Sequence, residues 1–503
     1  MNLITGLARL LLRHRVRAIR RYEKEGEAIQ RRTLERLVRK ARYTQWGREH
    51  GYSGIHCYED FVAKVPLGNY ASHKPYIQKM MEGAEDVLWK GRVTRFATSS
   101  GTTSDAAKFI PVSKDGLRHS HLQGGRDVTA TYLDQNRNSY VGRGYSMILS
   151  GRFESKYSTD KIKVGDVSAI MAEAAPSFYR RILHLVPSQE VTHLEDANAV
   201  YEAVSDQISK KDLVSFSGVP TWNILVLEMA VRKAGVPTAE ALWPHMELFT
   251  FGGMSILPYL SKLKALFPSG GLRLMENYNA SEGFFGIQTD LSDPAMTLML
   301  DYGNFYEFVP MSCYGKPGAK AVPLWEIELG VEYAVLVSTE SGLWRYDVED
   351  VVRFTRRNPY RFEMVGRTHQ NISIWGEDLS VQQAEKALER ACRLCGAGVR
   401  EFTVAPVFHP DGPTGHHQWL VEFDKVPDDM EGFAATLDRL VQEENLDYED
   451  FRQRFEDNAL EVVQARPGLF YDWLESKGKL GGQHKIPRLC STRKYMDELL
   501  KGV

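Results

Sequence analysis

The spacing of apolar residues along the chain changes several times, and each change marks a different part. In MNLITGLARLLLRHRVRAIRRYEKE, Leu3, Leu7, Leu10, Leu11 and Ile19 recur at helical spacing, and seven arginines and lysines lie between Arg9 and Lys24. This predicts a basic amphipathic helix whose apolar stripe docks on the protein body. The same pattern also suits a helix lying on a membrane surface. No small-residue cleavage site follows, so the stretch does not read as a secretory signal. A second helical stretch spans Ala28 to His50 and is closed by Gly51.

Short apolar runs then alternate with longer helical patterns. Candidate strands are Tyr145 to Ser150, Asp212 to Ser217, Glu247 to Phe251 and Leu272 to Glu276, with helical stretches such as Asn223 to Ala234 between them. Alternation of this kind predicts an α/β domain with covered sheets. From Tyr302 to Thr355 the runs FYEFVP, LWEIELG, YAVLVST and DVVRFT follow closely and predict a β-rich, partly antiparallel subdomain. Beyond MVGRTHQNISIWGEDLS (Met364 to Ser380) the pattern changes again. It predicts a helix from Val381 to Cys395, a strand from Glu401 to Phe408, the turn HPDGPTG and a strand from His417 to Phe423. A helical region through Asp457, the strand LEVVQA, a helix from Tyr471 to Lys477 and the loop GKLGGQHKIPR complete a small α+β module. The expected domains are residues 1–366 and 367–503, joined at Gly366 to Gln370.

Composition narrows the class. Of 503 residues, 43% are apolar, enough for large cores in more than one domain. Charged residues make up 25% and nearly cancel to −2, so no basic field points to nucleic acid. No apolar run approaches the length of a membrane span. The five cysteines, Cys57, Cys313, Cys392, Cys395 and Cys490, are scattered and odd in number, which indicates a reducing, cytoplasmic compartment. Cys392 and Cys395 form one CxxC without a second pair at zinc spacing, and are expected to be structural on a helix.

Three stretches carry candidate chemistry. SSGTTSDAAKFIP (Ser99 to Pro111) is rich in hydroxyls and small residues and leads to Lys108. Backbone amides and hydroxyls in such a loop can converge on one phosphate, although an ordinary turn has the same composition. It is not a Walker A loop, since no glycine immediately precedes Lys108 and no Ser or Thr follows it. NYNASEG (Asn277 to Gly283) leaves a strand, and the carboxyl edge of an α/β sheet is where ligands bind. There Tyr278 offers an aromatic face and Glu282 a hard oxygen ligand for Mg²⁺; the plainer roles are core packing for Tyr278 and a helix N-cap charge for Glu282. In GLWRYDVEDVV (Gly342 to Val352), Asp350 can accept from both ribose hydroxyls, with Asp347 and Glu349 as competitors and a surface turn as the plainer role.

In this order these stretches resemble the adenylate-forming superfamily of acyl-CoA ligases, luciferases and peptide-synthetase adenylation domains. The closer resemblance is to the Gretchen Hagen family of acyl acid amido synthetases, known from auxin-responsive plants and present in bacteria. SSGTTSDAAK is similar to that family's SSGTSxGxxK, YNASE to YxSSE, RYDVED to the end of YRYRVGD, and QHKIPR to QYKTPR. Glu349 stands where the third motif has glycine, Ala280 where a serine is frequent, and Asp347 where an arginine is found. The hinge-like GRTHQNISIWGEDLS is closer to the wider superfamily than to the plant enzymes, which puts a plant-hormone substrate in doubt.

The resemblance implies an ATP- and Mg²⁺-dependent ligase with a mobile C-terminal domain. It would adenylate a carboxylic acid and pass the acyl group to an amino acid or other amine. Ser99, Ser100, Gly101, Thr102 and Thr103 would hold phosphates, with Lys108 neutralising charge. Glu282 would bind Mg²⁺, Tyr278 and Ser281 would line the nucleotide, and Asp350 with Arg367 would hold the ribose. Lys485 would reach the α-phosphate. An acyl slot is expected at Trp222, Phe251, Gly252, Gly253 and Met254, and His119, His121 or His369 would be the base for the amine. The alternatives are an acyl-CoA ligase on the same scaffold and a nucleotide-binding sensor without turnover.

Overall fold

The computed structural model describes residues 3–99, 108–192, 194, 196–368, 372, 374, 377, 379–408, 415–454, 458–480 and 485–502. The expected turn at 409–414 and the junction residues 369–370 lie outside them. The chain forms two compact units, residues 1–253 with 269–363, and residues 254–268 with 364–503. Sequence reading places 254–268 in the first domain. It groups instead with the second, because Arg488 Nη2 donates to the Tyr259 hydroxyl (3.0 Å) and Lys262 Nζ to Asp424 (3.0 Å).

In the first unit, twelve described strands form one sheet with two characters. Leu185–Val186, Tyr145–Ile148, Leu213–Gly218, Leu248–Phe251 and Arg273–Ala280 pair in parallel. Their near-continuous apolar runs and the intervening helices are what a doubly covered parallel sheet requires. Arg273–Ala280 then pairs antiparallel with Gly283–Ile287, and antiparallel pairing continues through Met296–Leu298 to Tyr360–Arg367. Further out, Asn304–Pro310, Glu332–Thr339 and Tyr346–Arg357 also pair antiparallel. The α/β expectation and its β-rich extension therefore both hold. A separate small sheet joins Arg95–Ser99 to Lys108–Pro111 and Lys163–Gly165.

Three local expectations are corrected. LWEIELG is not a strand: Leu324–Glu326 is a short 3₁₀ turn. Its fully buried residues, Leu324 and Ile327, stand three apart rather than alternating, a helical spacing. The helix expected over Ala28 to His50 is two helices, Tyr22–Ala41 and Gln45–Glu49, because Thr44 turns extended and caps the second through Gly47 N. The first helix, Leu3–Arg20, forms as expected but is rotated away from the predicted stripe. Ile19 is buried, yet Leu7, Leu10 and Leu11 are 58%, 65% and 56% exposed. Arg15 and Ile19, four residues apart on one face, mark the side of the helix that is buried. The Arg15 guanidinium, with a side chain only 9% exposed, donates to Asp127 (2.8 Å) and Asp301 (2.8 Å), and Tyr302 donates to the same Asp127.

The second unit packs the helices Val381–Cys395 and Met430–Glu444 on a sheet of Gly398–Phe408, Gly415–Lys425 and Glu461–Ala465. Cys392 and Cys395 ride on the first of these helices against its core, the structural role expected for them. No described helix is long and apolar enough to cross a membrane.

Arg15→Ala strands the Asp127 carboxylate in the interior and should cost about 3–5 kcal/mol, read as a lower urea midpoint. Arg17→Ala, on the exposed face, should leave the midpoint nearly unchanged. Acid should also weaken the fold. His73 is buried, donates from Nδ1 to Asn69 O (3.0 Å) and accepts at Nε2 from Trp344 N (3.1 Å), an arrangement only the neutral ring can make. Burial pushes its pKa from 6.5 down to about 4. The stability this contributes is complete above pH 6.5 and lost as the pH falls towards 4. Melting temperature should fall through that window, and less steeply in His73→Gln.

Candidate active site

The first motif sits on an antiparallel pair, Arg95–Ser99 with Lys108–Pro111, in which Ser99 faces Lys108 across the ladder. Both ends of the Ser/Thr-rich segment are thereby fixed. Ser100, Gly101, Thr102 and Thr103 lie outside the described residues. Tyr70 steadies the outgoing strand, its hydroxyl accepting from Phe109 N (3.0 Å).

The second motif begins in a strand and not after one. Arg273–Ala280 runs through NYNA, and only Ser281 and Glu282 turn before Gly283–Ile287 begins. No helix follows, so Glu282 is not an N-cap charge. The strand is long because it pairs parallel on one side and antiparallel on the other, with a register shift at Tyr278 and Asn279. Ser281 Oγ donates to Thr98 O (3.3 Å), which brings the turn against the first motif. Tyr278 is buried among Phe285 and Phe362, with its hydroxyl donating to Asp350 Oδ2 (2.5 Å). Tyr278 is therefore both a core aromatic and a partner of the expected ribose acid.

The third motif opens the strand Tyr346–Arg357. Ala334 pairs with Val351 and Leu336 with Asp347, so Val348, Glu349 and Asp350 together stand opposite Val335. Such a bulge bends a strand and re-aims its side chains. Two residues here take left-handed backbone, Arg345 (φ 46°) just before the strand and Glu349 (φ 65°) inside the bulge, a conformation that non-glycine residues adopt at a cost. Arg345 is locked in place by Glu307, to which Nε and Nη2 donate at 3.0 and 2.8 Å, and by Val65 O at 2.7 Å. Glu349 N donates to Asp347 Oδ1 (2.8 Å), and Tyr314 donates to the same carboxylate (2.6 Å). Lys108 Nζ donates to Glu349 Oε1 at 2.6 Å, with the two side chains 13% and 24% exposed. Burial, then the nearby Glu282 and Glu349, hold the Tyr346 hydroxyl well above its ordinary pKa and keep it protonated.

Lys108, Ser281, Glu282, Tyr278 and Asp350 thus come from three distant stretches of one unit, tied by these hydrogen bonds. Sequence reasoning takes Glu349 only as a rival for the ribose and misses its pairing with Lys108. An acid standing where the related motif has glycine was the available signal.

Two of the candidate bases are committed elsewhere. His119 Nδ1 lies 2.6 Å from Glu340 Oε2, a buried carboxylate that also takes Lys40 (3.0 Å). His121 lies in the same π turn, Leu117–His121, buried against Asn279 (3.0 Å), and burial pushes it down to about 4, so it is neutral near pH 7. His369 lies outside the described residues. In the expected acyl region, Trp222 is buried and stacked on Tyr201 (5.8 Å), and Phe251 is buried at the end of its strand. Gly252 permits a close approach there, since a Cβ would meet Asn277 O at 2.3 Å, while Asn277 Nδ2 donates to Phe251 O (2.9 Å). Gly253 takes φ 80°. Met254 belongs to the second unit.

Arg367 ends the strand Tyr360–Arg367, and its residue also groups with the second unit. In that unit Pro487–Cys490 lies along the strand Gly398–Phe408. Val404 N donates to Arg488 O (2.8 Å) and Cys490 N to Val404 O (2.9 Å). Arg488 is buried on Glu401, Glu385 and Phe402 O. This anchors the segment that Lys485 precedes; burial raises the pKa of Glu385 above its ordinary value, with Arg488 and, more weakly, Lys485 opposing that rise. Residues 481–484 lie outside the described residues.

Residues 15–233 match the GH3 family N-terminal domain, 297–367 its central domain and 382–494 its C-terminal domain. The chain is 27% identical to indole-3-acetic acid-amido synthetase GH3.8 of Oryza sativa subsp. indica, with 94% of this chain and 90% of that protein covered. It is 26% identical to 4-substituted benzoates-glutamate ligase GH3.12 of Arabidopsis thaliana, over 88% and 89% of the two. Its fold is similar to that of AtGH3.15 acyl acid amido synthetase in complex with 2,4-DB (TM-score 0.79, 19% identity, 97% and 95% covered). More distantly it is similar to 2-hydroxyisobutyryl-CoA ligase (TM-score 0.57, 12% identity, 99% and 90% covered). With three successive domains matched across most of its length, the chain belongs to the GH3 family.

Proposed function

We propose that this protein is an ATP-dependent ligase that joins a carboxylic acid to an amino acid or another amine through an acyl adenylate. The observation that carries this reading is the joining of three motifs in one unit: Ser281 on Thr98 O, Lys108 on Glu349 and Tyr278 on Asp350. Membership of a family whose relatives bear the names of amido synthetases and ligases supports it.

A carboxylate is a poor electrophile, so activation must come first. One carboxylate oxygen attacks the α-phosphorus of ATP, the bond to pyrophosphate breaks, and the acid leaves as a mixed anhydride with AMP. The amine nitrogen then attacks the acyl carbon, AMP departs, and the ammonium proton is lost. Lys108 meets phosphate charge, and backbone groups of 99–103 cradle the phosphate oxygens. Asp350 accepts from the ribose hydroxyls, held in position by Tyr278, and Arg367 assists it. Glu282, a hard carboxylate on a two-residue turn beside the phosphate hairpin, suits a cation that keeps most of its ligands as water and phosphate. Mg²⁺ held there would neutralise charge developing on the phosphoryl oxygens.

Lys485 serves the first half-reaction from the C-terminal domain and withdraws for the second by rotation about Gly366 to Gln370. Such domain closure keeps a reactive intermediate from water. The acid sits by Phe251, Gly252 and Gly253. Trp222 and Met254 are its further candidate residues. With two histidines committed to Glu340 and Asn279, His369 is the remaining candidate base.

Pyrophosphate release from ATP across a panel of carboxylic acids, alone, with mixed amino acids and with coenzyme A, tests the activity. Release that needs an acid and is stimulated by amino acids, with an amide seen by mass spectrometry, is expected. Stimulation by coenzyme A alone would transfer the protein to the thioester-forming ligases, and ATP binding without release would make it a sensor. Lys485→Ala should slow adenylation about a hundredfold while leaving aminolysis of a supplied acyl adenylate nearly intact. Equal damage to both half-reactions would remove Lys485 from its role. Asp350→Ala should weaken ATP binding about tenfold or more, measured by calorimetry, since hydrogen bonds to a charged acceptor are lost.

A further inference from the structure

Glu349 is the residue the proposed chemistry does not use, yet it touches the cation that chemistry needs most. It occupies the position where the related motif has glycine, and its backbone keeps the left-handed conformation that glycine adopts without strain, at φ 65°. A glutamate held there needs a compensating contact. Two are present: Asp347 Oδ1 takes its amide at 2.8 Å, and its own carboxylate takes Lys108 Nζ at 2.6 Å. Those two side chains are only 13% and 24% exposed, so water screens the pair little. Asp347 is fixed in turn by the Tyr314 hydroxyl at 2.6 Å. Lys108 lies directly beside Ser99 in the ladder, at the mouth of the segment expected to hold phosphates.

We propose that Glu349 is a built-in counter-anion for Lys108. It occupies, in the nucleotide-free protein, the place on the ammonium that a phosphate oxygen of ATP takes. Nucleotide binding is then an exchange of one anion for another on the same cation. Two consequences separate this from a passive surface ion pair. The free energy that Lys108 gives to phosphate is reduced by what it already gives to Glu349. The displaced carboxylate also remains close to an incoming polyanion, which repels it. Glu349 thereby lowers the affinity for ATP, and a member of this family with glycine at that position lacks the restraint. The inference rests on the reading of this site as the ATP site.

Direct binding distinguishes the two readings. The affinity of a non-hydrolysable ATP analogue would be measured by calorimetry with Mg²⁺ for the unaltered protein, Glu349→Gln and Glu349→Gly. The same changes would be repeated in a Lys108→Met background. Glu349→Gln keeps the bulk and the backbone strain and removes the charge, whereas Glu349→Gly removes all three. Both should bind about threefold to tenfold more tightly, and the gain should shrink to the part due to repulsion when Lys108 is replaced. Neither variant is expected to unfold, because glycine relieves the backbone and glutamine preserves the side-chain volume; melting temperatures check this. Unchanged or weaker binding in both variants overturns the proposal while leaving the ATP site standing. Tightening by Glu349→Gly alone also overturns it, since backbone relief would then be the whole effect. If the unaltered protein and every variant fail to bind the analogue, the ATP reading itself falls, and this proposal with it.

Discussion

The buried pairing of Arg345 with Glu307 sets where the strand carrying Asp350 begins, and the candidate site depends on it. Arg345 departs from ordinary backbone at φ 46°, a conformation that persists only where surroundings enforce it. Glu307 receives two nitrogens of its guanidinium and the Tyr58 hydroxyl as well, so neither charge is left unpaired in the interior. From that fixed corner the chain enters the bulge in which Asp350 is aimed at Tyr278 and Glu349 at Lys108. A glutamine at 307 would leave a guanidinium without its counter-charge, and the bulge would lose its starting point.

The parts of the fold that could be read from sequence are those in which local pattern and tertiary environment agree. The parallel strands announced themselves as apolar runs because both their faces are covered. The helices Val381–Cys395 and Pro220–Ala234 had periodicity and glycine stops. What escaped was decided by contacts distant in sequence. The exposed leucines of the first helix look like a docking stripe, but the buried face is the one carrying Ile19 and Arg15, which meets Asp127, 112 residues away. LWEIELG has the composition of a strand, and only the joint burial of Leu324 and Ile327 shows it to be a turn. The grouping of 254–268 with the C-terminal unit depends on Arg488 reaching Tyr259, 229 residues earlier, which no local pattern encodes.

The site was legible to a similar degree and for similar reasons. Motif order singled out Lys108, Tyr278, Glu282 and Asp350, which the structure brings together in one unit. It did not foresee that Tyr278 and Asp350 bond to one another, nor that the end of one strand and the turn after it carry the second motif. Both follow from the change of pairing sense along Arg273–Ala280, a property of the whole sheet. Histidines were the hardest to read from sequence: His119 meets the buried Glu340, and His121, itself buried, meets Asn279.

The same long-range ties bear on how the protein is made. Lys108 and Glu349 are 241 residues apart, Ser281 and Thr98 183 apart, and Tyr278 and Asp350 72 apart. Closing loops of that length costs entropy before any contact repays it, which slows folding of such topologies. During synthesis the phosphate hairpin and the parallel strands emerge from the ribosome first, with no acidic strand to meet. The half-built sheet then ends at Arg273–Ala280 with an unpaired edge, the kind of surface on which nascent chains aggregate. On the proposed reading of the site, nucleotide cannot reward folding until the chain has passed Asp350, so the newborn protein must cross this interval unaided by ligand.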